Sequence, residues 1–207
     1  AAISIDGKIA AAPGERTQLT SPLASRRAHY DRAWVDALGV GSETVRVDDP
    51  LLTARQVYRA RPLARVVFDR RLRTPPSARL FSTLSEGPVI ILTTQEALAA
   101  QASQARALEQ AGAAVVAPPE AGLAAAVKVL PALGIQSLLL EGGALLHGAA
   151  WEARAVDYVQ LYVSPREVGA GGVPADPRML MTASLFDRRV DELGPDVIIE
   201  GYVHRPH

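Results

Sequence analysis

The sequence predicts an α/β fold on a mixed sheet, mostly parallel at its centre, flanked by helices and finished by antiparallel C-terminal strands. Three observations carry this expectation. The apolar runs "ARVVFD" (residues 64–69), "PVIILT" (88–93) and "SLLLE" (137–141) lack polar alternation, as suits parallel strands covered on both faces. From residue 65 to 152 such runs alternate with helical stretches, the pattern of βαβ connectivity. The tail then changes character. "VDYVQLYVS" (156–164) alternates, and residues 185–193 and 197–204 flank Gly194-Pro195 as an antiparallel hairpin.

The elements follow in order. Residues 1–5 read as a strand entering the turn Asp6-Gly7, with 8–12 extended and a loop at Pro13-Gly14. Ser21 and Pro22 make a helix start, cap and first residue, for a helix over 21–37 whose apolar face is Leu23, Ala33, Trp34 and Ala37. Residues 38–41 form a buried strand, and Ser42 caps a brief helix that must stop before Pro50. A long Ala-rich helix over 95–111 closes on Gly112. A strand at 113–117, a helix at 122–133 and a helix from Gly142-Gly143 to Glu152 complete the alternating part. Residues 169–177, "GAGGVPADP", read as a surface loop.

Composition narrows the class. The 207 residues suit one domain, with 48% apolar residues and 22 basic against 22 acidic side chains. Zero net charge gives no global pull toward nucleic acid or an anionic membrane. No apolar run approaches the ~20 residues of a membrane span. The absence of cysteine removes disulfide frameworks and thiolate zinc sites, and fits a cytoplasmic location. His29, His147, His204 and His207 lack metal-ligand spacing and read as structural or surface residues; no metal is expected. The chain starts without Met on what reads as a strand, so residues upstream are expected.

Three segments can carry chemistry. In "LLLEGGALL" (138–146) a buried strand ends at Glu141, and Gly142-Gly143 open a helix. That is either a tight turn or an anion cradle made of helix N–H groups. Glu141 favours the cradle, because a carboxylate there needs a partner and open α/β sheets bind ligands at that edge. "SETVRVDDPLLTAR" (42–55) sets Asp48 and Asp49 at a helix C-terminus, where negative charge is unfavourable. It reads as a solvated loop or as a loop shaped around a polar ligand. Arg32 and Arg55 are either surface residues or a pair gripping phosphate.

Together, "SIDGKIA", "GSETVRVDDPLLTAR", "RVVFDRRLRTP", "LLLEGG" and "LYVSPREVGAGG" occur in the order and spacing of one family. The chain resembles the pyrimidine reductase of riboflavin biosynthesis, the C-terminal half of the bifunctional deaminase–reductase. The resemblance implies a dihydrofolate-reductase-like fold, a single reductase domain over residues 1–207, and homodimers. It implies NADPH-dependent reduction of 5-amino-6-(5-phosphoribosylamino)uracil, with hydride delivered to the C1′ imine of the opened sugar. It implies cofactor contacts from Ala2, Thr44, Asp48, Gly142, Gly143, Ala144, Leu145 and Leu146. Arg70, with Arg71, Thr93 and Thr94, is a candidate for the 2′-phosphate. Arg32, Leu52, Arg55 and Glu141 match substrate positions, the arginines taking the phosphate, and Asp48 is the candidate proton donor.

The family carries G-E-S-x-W-I-T after its first strand; this chain has "GERTQLTS" (14–21). Arg16 stands where a substrate-contacting serine is expected and Gln18 where an aromatic beside the cofactor is expected, while Thr20 keeps its place. A reductase of the same fold acting on another substrate such as dihydrofolate, or a non-catalytic nucleotide-binding module, are the alternatives. Deamination is excluded for these residues, since it needs H-x-E with P-C-x-x-C.

Overall fold

The computed structural model describes residues 1–15 and 17–206; Arg16 and His207 lie outside the described residues. In chain order the elements are β1 (Ala2–Ser4), β2 (Lys8–Ala10), α1 (Pro22–Ala33), β3 (Ala37–Gly41), α2 (Ser42–Asp48), β4 (Ala64–Phe68), β5 (Val89–Leu92), α3 (Gln95–Ala100), α4 (Ala102–Gln110), β6 (Ala113–Val116), α5 (Leu123–Lys128), β7 (Leu138–Leu140), α6 (Ala144–Glu152), β8 (Tyr158–Ser164), β9 (Val173–Pro174), β10 (Phe186–Leu193) and β11 (Asp196–Tyr202). They divide into two compact units, residues 29–142 and residues 1–28 with 143–207. Hydrogen bonding sorts the strands of the described residues into three sheets where a single mixed sheet is expected from sequence.

The first unit is a five-stranded, wholly parallel sheet in the order β6-β5-β4-β3-β7. Successive residues of its strands enter opposite cores. Leu38, Val40, Val67, Val89 and Ile91 face one cluster, and Ala37, Val66, Ile90 and Leu92 face the other. Both faces are therefore dry, which is why the strands read as unbroken apolar runs. Asp36 and Ser137 pin the entry of β3 against β7: Asp36 Oδ2 accepts from the Ser137 amide and hydroxyl, and the Asp36 amide donates to Ser137 Oγ.

Arg65 breaks the apolar pattern of β4, yet it has no exposure. Its guanidinium donates to Thr83 Oγ1 at 2.9 Å and to the carbonyls of Thr83, Gly87 and Pro88, at the end of a 3₁₀ segment (Arg79–Glu86). Carbonyls, not a carboxylate, hold the charge. Gly87, at φ 150°, is obligatory there, because a Cβ would sit 2.1 Å from the Leu63 carbonyl oxygen.

The second unit is built on a four-stranded sheet, β1-β8-β11-β10, in which β1 runs parallel to β8 and the other pairs are antiparallel. The C-terminal hairpin expected around Gly194-Pro195 is present as β10 and β11. Ile3, Val159, Leu161, Ala175 and Met179 form one of its cores. On another face Ala24 of α1 packs against Tyr162 and Ile198. β2 pairs with β9 as a separate ribbon, so the loop expected over 169–177 contains a short strand.

Several helices are shorter than their patterns suggest. α1 stops at Ala33, and Ala37 belongs to β3. The expected apolar face is wrong as well: Trp34 is 73% and Leu23 50% exposed, and Ala24 is the helix's buried residue. The helix expected over 95–111 breaks at Gln101 (φ −126°, ψ 42°) into α3 and α4. The helix expected over 122–133 ends at Lys128, since Pro131 supports only a 3₁₀ turn. Gly41, not Ser42, is the residue preceding α2, and it offers no side-chain cap.

Candidate functional site

In the parallel unit β3 has β4 on one side and β7 on the other, so the strand order reverses between β3 and β7. Ligands of open α/β sheets bind outside the carboxyl ends of the strands at such a reversal. Those ends are Gly41, which leads into α2, and Leu140, which leads into Glu141 and Gly142. The Glu141 amide continues the ladder by donating to the Gly39 carbonyl at 2.8 Å, which holds the acid at the sheet edge.

Glu141 has the partner that its position demands. Nε of Arg32 donates to Glu141 Oε1 at 2.7 Å and Nη2 to Oε2 at 2.5 Å, a two-bond fork. The third edge of the guanidinium donates to the Thr53 carbonyl at 2.9 Å. Burial pulls the Arg32 pKa down, and the bonds to Glu141 more than reverse it, leaving the charge secured above its ordinary value. Arg32 is thus held by Glu141, and the two arginines do not stand as a free matching pair.

His29, one turn before Arg32 on α1, joins the group. Its Nδ1 lies 3.3 Å from the Arg55 backbone N and 3.4 Å from Arg32 Nη1, and its Nε2 lies 3.3 Å from Arg55 Nη2. Burial first, then the charges of Arg32 and Arg55, lower the His29 pKa. Without metal-ligand spacing, the sequence alone marks His29 as a structural or surface residue. The i,i+3 spacing to Arg32, which puts both on one helix face, is the signal that would have found it.

The segment that carries Arg55 is shaped by left-handed backbone. Asp49 (φ 41°), Leu52 (φ 55°) and Gln56 (φ 61°) all lie there, and Leu52 is buried. Such conformations cost roughly 1–3 kcal/mol each for a residue with a branched or bulky side chain, and persist where the surroundings dictate them. Asp49 explains half of the adjacent-acid puzzle. It caps α2 in the left-handed conformation and its Oδ1 accepts from the Arg79 amide at 2.8 Å. Further on, Arg59 donates to the carbonyls of Arg32 and Val35, strapping the loop to the end of α1. Thr44 and Asp48 both lie on α2, half-buried.

Arg70 is exposed, in a loop folded by the buried Asp69, whose carboxylate accepts from Thr74 N and Oγ1 at 2.7 Å. The Arg70 carbonyl accepts from Thr94 Oγ1 at 3.5 Å, so two of the candidate 2′-phosphate residues are neighbours.

In the second unit, α6 starts at Ala144 behind Gly143, and no side chain caps it. A Cβ on Gly143 would meet nothing within 4 Å, and Leu145 is 92% exposed, so this helix start is open to a ligand. That fits the phosphates of a dinucleotide. Ala2 sits in β1 opposite Tyr162. A cleft of about 610 Å³ is lined by Gln18, Thr20, Ser25, Ser164, Arg166 and Asp196, among others. Gln18 Nε2 donates toward Thr20 Oγ1 (3.2 Å) and Ser25 Oγ (3.3 Å), and Arg166 donates to the Gln18 carbonyl at 2.9 Å. Asp6 gathers the Val168 and Gly169 amides. The Ser4 hydroxyl, then these amides, hold its pKa at about 2. Among the described residues no cluster of three metal-binding side chains occurs, and no helix is long and apolar enough to cross a membrane.

The family model described as the RibD C-terminal domain matches residues 1–199. The chain is 32% identical to a 2,5-diamino-6-ribosylamino-4(3H)-pyrimidinone 5′-phosphate reductase of Methanothermobacter thermautotrophicus, across 97% of this chain and 94% of that one. It is 34% identical to the riboflavin biosynthesis protein RibD of Actinobacillus pleuropneumoniae, across 81% of this chain but only 44% of the relative. Among solved structures, RibD of Acinetobacter baumannii superposes with a TM-score of 0.78 at 24% identity, covering 98% of this chain and 56% of that one. That likeness bears out the expected dihydrofolate-reductase-like α/β fold.

Proposed function

The chain belongs to the RibD C-terminal domain family, and from that premise we propose that it is an NADPH-dependent reductase of riboflavin biosynthesis, a single cytoplasmic reductase domain over residues 1–207 that works as a homodimer. The substrate is 5-amino-6-(5-phosphoribosylamino)uracil. Its ribosyl ring opens to a C1′ imine; hydride adds to C1′, a proton goes to the nitrogen, and a ribitylamino group results. The observation that carries the reading is the group of Arg32, Arg55, His29 and Glu141 at the carboxyl edge of the parallel sheet. Arg55 offers its guanidinium to the sugar phosphate, and among the described residues no acid pairs with it. Glu141, oriented by Arg32, and the carbonyl-lined turn at Thr53 supply acceptors for the sugar and base.

NADPH, when bound, supplies the hydride. The residues proposed to hold it are Ala2, Thr44, Asp48 and the stretch from Gly142 to Leu146, with Arg70 toward the 2′-phosphate. The uncapped start of α6 supports a phosphate there. Asp48 is proposed as the proton donor to the imine nitrogen. Its place at the C-terminal end of α2 is what supports that role.

A second reading has an observation of its own. The relative that this chain spans almost end to end is named for the 2,5-diamino pyrimidinone, which carries an amino group where the uracil has an oxo group. Offering both phosphoribosyl compounds and following loss of NADPH absorbance tests the proposal. Consumption with either fixes the substrate; bound cofactor without consumption of either rejects the reaction.

A further inference from the structure

β10 is exposed on both of its faces. Every residue from Phe186 to Glu192 is exposed, Val190 at 48%. It is also the last strand of its sheet, with β11 on one side only. The ladder behind it fixes which backbone groups its free edge presents. The Val203 amide donates to the Asp157 carbonyl, so the odd-numbered residues of β11 turn their N–H and C=O groups toward β8. The Tyr162 amide agrees with this, since it points away from β11 to the Ala1 carbonyl. Ile198 and Glu200 therefore face β10, where their partners are Asp191 and Arg189. Val190 and Glu192 are left with N–H and C=O groups aimed off the sheet.

An edge is kept single by proline, by bulges or by charge that repels a second edge. The register irregularity of β10 lies near its start, between Phe186 and Arg189. The rest carries a two-part charge pattern: Arg188 and Arg189 before Val190, Asp191 and Glu192 after it. None of these four makes an ion pair among the described residues. A second β10 laid antiparallel against this edge must match outward backbone with outward backbone, so the two-fold axis falls on a residue that presents it. On Glu192 the axis would set two acids opposite each other. On Val190 it sets Val190 against Val190, Arg189 against Asp191 and Arg188 against Glu192, each charge pair occurring twice. Side chains alternate along a strand, so Arg188, Val190 and Glu192 meet their partners on one face and Arg189 and Asp191 on the other. The strand is complementary to itself in this register.

We infer that β10 is a seam between two copies of this chain, joined edge to edge and antiparallel about an axis at Val190. This rests on the reading of the chain as a homodimer and gives that dimer a place and a register. The outward N–H and C=O groups of Val190 and Glu192 bond the partner's backbone, the two valines close the apolar centre, and the flanking charges select the register.

The test follows self-association of the full chain by sedimentation velocity over a concentration series. Val190→Pro removes an N–H that faces the partner and none that faces β11, so the hairpin stays paired while the dimer dissociation constant should rise about tenfold. Arg188→Glu and Glu192→Arg each set like charges opposite one another, and each alone should weaken the dimer about tenfold. An equimolar mixture of these two variants should recover wild-type affinity, because the mixed dimer restores opposite charges at both positions; a merely structural role gives no such rescue. Should the variants unfold, hydrogen exchange in the wild type still decides: the Val190 and Glu192 amides should be protected in the dimer and lose protection on dilution to monomer. Fast exchange at both amides in a wild-type dimer, or wild-type affinity in Val190→Pro and in both charge variants, overturns the seam and leaves the dimer standing. A wild-type chain that sediments as a monomer throughout overturns the dimer and the seam together.

Discussion

The charged group around Arg55 and the cleft around Gln18 are both polar, but they are built from different materials. The first is made of guanidinium, imidazole and carboxylate, with Arg32 and Glu141 side chains only 17% and 24% exposed. The second links the Gln18 amide to the Thr20 and Ser25 hydroxyls, and its charged lining residues answer backbone groups: Arg166 donates to the Gln18 carbonyl and Asp196 accepts from the Ser21 amide. Partly buried charges are tolerated only when each is answered, and the Arg32–Glu141 fork answers both. Neutral hydrogen bonds can be exchanged for others at little cost, so those around Gln18 are the more replaceable.

The largest effect should come from breaking the answered pair. Glu141→Ala leaves the Arg32 charge partly buried beside His29 and Arg55, and should cost about 3 kcal/mol in denaturant unfolding. The Arg32→Ala, Glu141→Ala double variant should lose less than the sum, because neither charge is then left alone. A loss under about 0.5 kcal/mol would mean that the pair is a solvated surface contact. Next is Arg55→Ala: kcat/KM for the phosphorylated substrate should fall about thirtyfold, near 2 kcal/mol, while stability moves by less than about 0.5 kcal/mol. Equal losses with and without the substrate phosphate would erase the contrast between the two sites.

Gln18→Ala should be milder. It should lower kcat/KM by about tenfold or less, to the same degree for phosphorylated and dephosphorylated substrates, since the hydrogen bonds removed are those of a neutral amide. The smallest effect lies in acid. Asp6, held at about 2 chiefly by the Ser4 hydroxyl, stabilises its unit fully above pH 4, and that contribution fades as pH falls through about 2. Asp6→Asn should therefore remove part of the acid sensitivity of amide protection at Val168 and Gly169, read by hydrogen exchange. Unchanged exchange between pH 5 and pH 2 in the wild type would show that the carboxylate does not hold that loop.

The parallel strands were legible because two dry faces leave no room for polar alternation, and the C-terminal hairpin because Gly194-Pro195 separates two alternating runs. Glu141 and Arg55 stood out because each sits where charge needs an explanation. What escaped was decided by tertiary contacts. Arg65 looks impossible inside an apolar strand until the carbonyls at the end of the 3₁₀ segment supply its acceptors. The break at Gln101 has no proline or glycine to announce it; Gln101 Nε2 instead reaches the Arg71 carbonyl at 2.6 Å. β9 is two residues long, too short for any alternation to show. His29 was hidden because a histidine's role depends on which atoms face its two nitrogens, and those come from a loop some 26 positions further along.

The account turns on a phosphate ester held at Arg55 while hydride reaches the sugar carbon. Its most direct test is turnover of 5-amino-6-(5-phosphoribosylamino)uracil and its 2,5-diamino counterpart with NADPH, for the wild type beside Arg55→Ala. The account predicts one NADPH consumed per ribitylamino product formed, with KM rising steeply in the variant. Cofactor bound but never oxidised with either compound, or a variant with wild-type KM, would contradict it.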